Sequence, residues 1–283
     1  MLFPEVPERD ARGKIALLYA DIRRTLQVPM VNLIYRHMAA IPDCLPWAWG
    51  ILREHYLSTA MAVGVQSVLG SAWAQRSPWG PSLVCASDSE RDDVREIAQY
   101  YNAGNAANLI ALLALRLAVE RGIPRAAEGE PEIVLAEPPP VPRPISRIDT
   151  LEPALAARIR RTAAMQDTQG VGIIPSMYLH LAAAPSVLGS VLTGVDRALA
   201  DGTLEHDAGL VRDAALQAAV DLAPSLFARG EACPELSLSR LLAAVDTFTG
   251  HTIPEMLVVG GQIVKTLAVS WQEVRLPPAW RAS

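Results

Sequence analysis

Cysteine, charge and strand-forming runs are all scarce in this 283-residue chain, and each shortage removes a class of function. The three cysteines, Cys44, Cys85 and Cys233, are widely spaced, with no CxxC pair and no zinc-ligand spacing. A disulfide framework or a structural metal is therefore not expected, and a reducing cytoplasm is. Charged residues make up 19% of the chain and the formal net charge is -5. Without a basic footprint, nucleic acid is excluded as a partner, and an anionic membrane surface would repel the same sign of charge. The longest apolar stretch, Leu109–Val119, contains Arg116 and is too short to span a bilayer. The opening Met1–Lys14 carries two prolines and mixed charges before any apolar run, unlike a secretion signal. Also missing are GxGxxG, P-loop, HExxH and nucleophile-elbow patterns, and no Asp, Glu or Cys stands at ligand spacing beside His37 or His180, so no metal is expected. Strand signals reduce to Ile133-Val134-Leu135 among prolines.

What the chain does have is an internal repeat. The tetrapeptide IRRT occurs at Ile22–Thr25 and again at Ile159–Thr162. Each copy is followed by a related segment, Tyr35-Arg-His37-Met-Ala-Ala-Ile-Pro42 in the first and Tyr178-Leu-His180-Leu-Ala-Ala-Ala-Pro185 in the second, with six extra residues ahead of the second tyrosine. Such self-similarity reads as two copies of one unit. Two related units packed face to face build a pocket along their shared axis, and residues present in one copy only become candidates for function.

The apolar spacing is helical throughout. Ile15, Leu18, Ile22 and Leu26 share one face of a helix over Lys14–Leu26. Further helices are expected over Val31–Ala40, Leu45–Arg53, Leu57–Gln75 and Ser89–Arg121, the last interrupted or kinked at Gly104. The turn-rich Ser77–Pro81 follows the fourth. The second unit repeats the order over Leu151–Met165, Pro175–Ala184, Val187–Ala200, Glu205–Phe227 and Leu236–Val269, with a break near Gly250–Pro254. Between the units, Ala126–Pro144 holds six prolines and reads as a stiff, extended linker. The expected fold is all-α, two tandem helical repeats forming an intramolecular pseudo-dimer: residues 1–125, a Pro-rich linker over 126–147, and residues 148–283. Gly260-Gly261 marks a close helix contact, Trp47 and Trp49 are core or interface, and Trp280 is a candidate anchor for the tail.

The run from Asp21 through Pro42, followed by Trp47 and Trp49, together with Tyr100-Tyr-Asn-Ala-Gly-Asn105, resembles the group I 2-haloacid dehalogenases. The resemblance covers most of the chain through short motifs. It implies an all-helical pseudo-dimer and cofactor-independent hydrolysis of small 2-halocarboxylic acids, in which an aspartate activates water for direct displacement of halide. That aspartate sits in a Ser-Asp-Tyr-Arg pattern, and this chain has Ser176-Met177-Tyr178-Leu179. Met177 has a thioether that cannot take a proton from water. Its counterpart in the first unit is Ile34, also apolar.

His180, one helical turn from Met177, is the nearest titratable neighbour of the vacated position and a candidate general base, with Ser176 beside it. Because His37 and His180 recur in both copies, each can equally serve by bonding a backbone carbonyl and orienting its helix. Asn102, Asn105 and Asn108 cluster near Gly104 and suit a carboxylate, while the corresponding stretch of the second unit carries His251. Asn105 and His251 can also be read as capping residues. Arg36, replaced by Leu179 in the second copy, is a candidate counter-charge. The candidate ligand-contacting set is Ile34, Arg36, His37, Asn105, Met177, Tyr178 and His251. If the chain is an enzyme, the expected class is a hydrolase acting on carbon–halide bonds. The alternatives are a non-catalytic protein binding a small carboxylate or apolar ligand, and an alkylhydroperoxidase-like redox protein working through Cys85. A homodimer is compatible with either.

Overall fold

The computed structural model describes residues 4–74, 83–123, 137–141, 143–228 and 233–267, and among them every regular element is helical. The first half contains α1 (Gly13–Leu26), α2 (Leu33–Met38), α3 (Cys44–Leu52), α4 (Thr59–Ala74) and α5 (Asp88–Arg121). The second contains α6 (Pro153–Gln166), α7 (Ser176–Leu181), α8 (Pro185–Ala200), α9 (Thr203–Leu222), α10 (Glu235–Thr247) and α11 (Ile253–Thr266). Ser77–Pro81, Ile133–Leu135, Trp280 and most of the Pro-rich linker lie outside the described residues.

Local chemistry sets the ends of several helices. Ser87 accepts the Glu90 N–H while the Glu90 carboxylate accepts the Ala86 N–H, a reciprocal cap that starts α5. Glu152 accepts from the N–H groups of Ala154 and Leu155, with Pro153 in the first turn of α6. Gln27, left-handed at φ 50°, closes α1.

Two helices form the centre. Residues 101–115 of α5 and 253–264 of α11 are buried on every side, which is why neither stretch shows a clean polar stripe. By length and composition α5 is apolar enough to cross a membrane, yet 83% of its most apolar window is buried inside the protein. The packing is densest where α4 meets α9 and where α5 meets α11. Small residues permit it. A Cβ added at Gly64 of α4 would stand 2.9 Å from the Ala218 methyl of α9, and one at Gly261 would stand 3.1 Å from the Ala72 carbonyl oxygen. Gly260-Gly261 is thus a close helix contact.

Gly104 does not interrupt α5, contrary to the sequence expectation: the helix is continuous over 34 residues. A Cβ at this position would meet Val28 and Asn32 at 3.4–3.7 Å, ordinary van der Waals contact. In the second half the expected break is present as a π-helical turn, Phe248–Thr252. Pro254 has no N–H to return to residue 250, so the ladder changes register there.

Each half is entered through an extended leader fastened to its short second helix. The Val6 N–H donates to the Arg36 carbonyl at 2.9 Å, and the Ser146 N–H donates to the Leu179 carbonyl at 3.1 Å. His37 Nδ1 donates to the Pro4 carbonyl at 2.6 Å, and His180 Nε2 donates to the Arg143 carbonyl. Carbonyls only accept, so these ring nitrogens carry the protons.

Candidate functional site

Between α2, α5, α7 and the π-turn lies a small cavity. Its floor is apolar: Ile34 and Met177 line it from the two short helices, together with Met30, Phe248 and Met256. Polar groups enter from α5 as Tyr101, Asn105 and Asn108, with Asn32 and Ser176 at the helix starts. Of the sequence candidates, Ile34, Asn105, Ser176 and Met177 therefore converge on one space.

The others stand outside its lining. Arg36 forms an ion pair with Glu5 at 2.6 Å and touches the cavity rim only by donating to Ser176 Oγ at 3.2 Å. His37 is turned to the leader. Tyr178 is fully buried and donates to Gln166 Oε1 at 2.7 Å. His180 is fully buried, and its ring reaches the cavity only through Tyr101, which it meets edge-on at 6.0 Å. Burial lowers the His180 pKa, partly offset by the carbonyl bond, so the ring stays neutral. His251 lines a neighbouring recess, not this cavity. Trp49 lies in the core, donating to Asp21 at 2.7 Å and stacking on Tyr56.

The cavity's electrostatics come from neutral groups. Asn108, fully buried, accepts from the hydroxyls of Tyr35 and Tyr56 at 3.0 Å each, and those two hydroxyls also touch. With Oδ1 committed, Asn108 Nδ2 has no hydrogen-bond partner. Tyr101 Oη and Asn32 Oδ1 are likewise buried and unpaired, while Asn32 Nδ2 donates to Asn105 Oδ1 at 3.4 Å. An unmet buried donor costs roughly 1–3 kcal/mol, so this arrangement is one a ligand bearing acceptor oxygens would relieve. Burial raises the Tyr101 pKa far above the phenol range, so it donates at any working pH. Met177 supplies no base, and among the lining residues there is no carboxylate, histidine or lysine.

A second, smaller recess shares Pro175, Thr252 and Met256 with the cavity. It holds Glu255, which the repeat did not reveal because a single acid in an apolar helix has no partner in the pattern. Glu255 is 6% exposed and accepts only from Gln166 Nε2 at 2.9 Å. Desolvation, opposed by that bond, raises its pKa from 4.5 to about 7. A carboxyl whose folded pKa is raised contributes stability fully below its unfolded pKa and loses it as pH rises through the folded value. Glu255→Gln is expected to abolish this loss between pH 4.5 and about 7. Above pH 7 the variant should be the more stable by up to about 3 kcal/mol; parallel denaturation curves at pH 5 and 8 measure it, and equal pH slopes for both proteins would refute it.

Cys85 is partly buried ahead of α5, and desolvation together with the Glu90 charge pushes its thiol pKa up, the reverse of an activated nucleophile. Among the described residues no cluster of three or more His, Cys, Asp or Glu side chains is placed to hold a metal.

No family model matches the chain. An (R)-2-haloacid dehalogenase from Pseudomonas putida is 46% identical over 88 residues, 31% of this chain and 28% of that protein. A configuration-inverting 2-haloacid dehalogenase from Alcaligenes xylosoxydans xylosoxydans is 27% identical over 175 residues, 60% of this chain and 56% of the relative. The matched regions thus span at most about half of these curated relatives. A mutant D-2-haloacid dehalogenase in complex with D-2-CPA superposes with a TM-score of 0.74 at 18% identity, covering 95% of this chain and 96% of the other. The complex of D-2-haloacid dehalogenase with L-LA gives 0.75 at 16% identity, covering 94% and 96%. This chain has the all-helical architecture of the D-2-haloacid dehalogenases, and its relatives by sequence are 2-haloacid dehalogenases.

Proposed function

We propose that the chain is a member of the group I 2-haloacid dehalogenases, built as an intramolecular pseudo-dimer, whose cavity binds a small 2-substituted carboxylic acid without hydrolysing it. The observation that carries this reading is the pairing of two unsatisfied donors, Tyr101 Oη and Asn108 Nδ2, with an apolar floor of Ile34 and Met177. The donors suit the carboxylate oxygens, and the floor suits the substituent on C2. Hydrolysis requires a group that takes a proton from water within hydrogen-bond reach of the reacting carbon. Met177 occupies the position that the family resemblance assigns to that group. His180 lies outside the cavity lining, donating through Nε2 to the Arg143 carbonyl and meeting Tyr101 edge-on, while its buried Nδ1 is left without a partner.

Calorimetric titration of the full chain with (R)- and (S)-2-chloropropionate, alongside a halide electrode, tests the reading. Binding without halide release is expected, and Tyr101→Phe should weaken it about tenfold through loss of one hydrogen bond to a charged acceptor. Catalytic halide release by the wild type would replace this reading with a hydrolase using another base. Absence of binding to both enantiomers would remove the small acid as ligand.

A further inference from the structure

The fold brings together two cysteines that are 189 positions apart. Cys44 is the first residue of α3, and Cys233 lies just before α10; both are free, and their Sγ atoms are 3.9 Å apart. Cys44 is fully buried and its thiol donates to the Ser237 carbonyl of α10 at 3.2 Å, whereas Cys233 is only partly buried. In the internal repeat the counterpart of Cys44 is Val187, also fully buried. An aliphatic side chain therefore serves the scaffold at this position, and the thiol is a feature of one copy alone.

We propose that Cys44 and Cys233 form a redox modification site, which a small-molecule disulfide converts into a bond stapling α3 to the start of α10. The sulfurs are already in van der Waals contact and need to close to about 2.05 Å. The reachable Cys233 thiolate attacks one sulfur of oxidised glutathione, forming a mixed disulfide and expelling one glutathione thiolate. Cys44 Sγ then attacks the Cys233 sulfur, forming the protein disulfide and expelling the second. The two protein thiol protons end on the two released glutathiones; the protein pair is oxidised by two electrons and the glutathione disulfide reduced. Burial pushes the Cys44 thiol up to about 12 and raises that of Cys233, so the exchange is slow at neutral pH and quickens in alkali. Once made, the bond ties together the two sides of the cavity. The turn ahead of Cys44 follows α2, which bears Ile34, and α10 runs into the π-turn, which bears Phe248 and Thr252.

The test equilibrates the full chain at pH 8 against glutathione buffers of increasing oxidised fraction, then quenches with an alkylating reagent. Intact mass, peptide mapping without reductant and thermal unfolding are read on each sample. The expected result is a single species lacking two hydrogens, a Cys44–Cys233 peptide, and a midpoint raised by about 5–10 °C that reductant reverses. Cys233→Ser should abolish the shift and Cys85→Ser should leave it intact. Both thiols still alkylatable at the most oxidising ratio, or bridges formed only through Cys85, would overturn the assignment. Should Cys233→Ser fold poorly, the wild-type peptide map and its reversible midpoint shift decide by themselves.

Discussion

Met177→Asp is expected to release halide from 2-chloropropionate at a rate some 10²–10⁴ above the wild-type background, the usual contribution of a placed general base. The new carboxylate would stand on the first turn of α7, on the same cavity lining as Ile34, Asn108 and Tyr101. Its surroundings are apolar and 1% exposed at the methionine, so desolvation would raise its pKa. Activity should therefore climb with pH as the carboxyl ionises, while stability moves the other way: present at low pH and lost as pH rises through the folded pKa. Removing the methionine and burying an acid should together cost about 2–5 kcal/mol. Met177→Asn is the control, with nearly the same shape and no basicity. If both variants bind the acid and remain equally silent, position 177 is not where the missing chemistry belongs.

Gly260→Ala is expected to destabilise the protein more than any other glycine-to-alanine change at the glycines with described surroundings. A Cβ there would fall 1.9 Å from Asn102 Oδ1 and 2.8 Å from Asn102 Cγ. Asn102 is buried in the middle of α5, so its amide has no solvent to retreat into, and α11 would have to move away from α5. Overpacking of this kind costs about 1–3 kcal/mol or more, even though alanine is by about 1 kcal/mol the better helix former. Chemical denaturation measures the loss. The double variant Gly260→Ala with Asn102→Ala should recover most of it, a coupling expected only when the two side chains collide. Without recovery, the cost lies in the helix itself and not in the contact.

The parts of the molecule that were readable from sequence are those written in local pattern. Ile15, Leu18, Ile22 and Leu26 announced α1 by spacing, and Pro254 announced the break before α11 by lacking an N–H. Asn105, Ser176 and Met177 were legible because repeat and resemblance pointed at the same short segments. The pairing of Arg36 with Glu5 was not legible, because Glu5 sits on a leader with no periodicity to read. Gly104 did not interrupt α5, because one glycine in a long buried helix costs little against the packing on every side of it. Glu255 and the Cys44–Cys233 pair carry no local signal at all. Each is defined by a neighbour far along the chain, Gln166 for one and a second thiol for the other.

The two histidine clasps bear on the order in which the molecule assembles. They join residues 33 and 37 positions apart, each within its own half, whereas Arg116 meets Asp246 across 130 positions and Cys44 meets Ser237 across 193. Closing a short loop costs less chain entropy than closing a long one, and rates follow that difference. A ribosome extruding this chain would thus allow the first clasp to set before α11 exists. Docking of the halves would be the late and rate-limiting step, and α5, whose middle is buried on every side in the folded protein, the surface most in need of shelter until then.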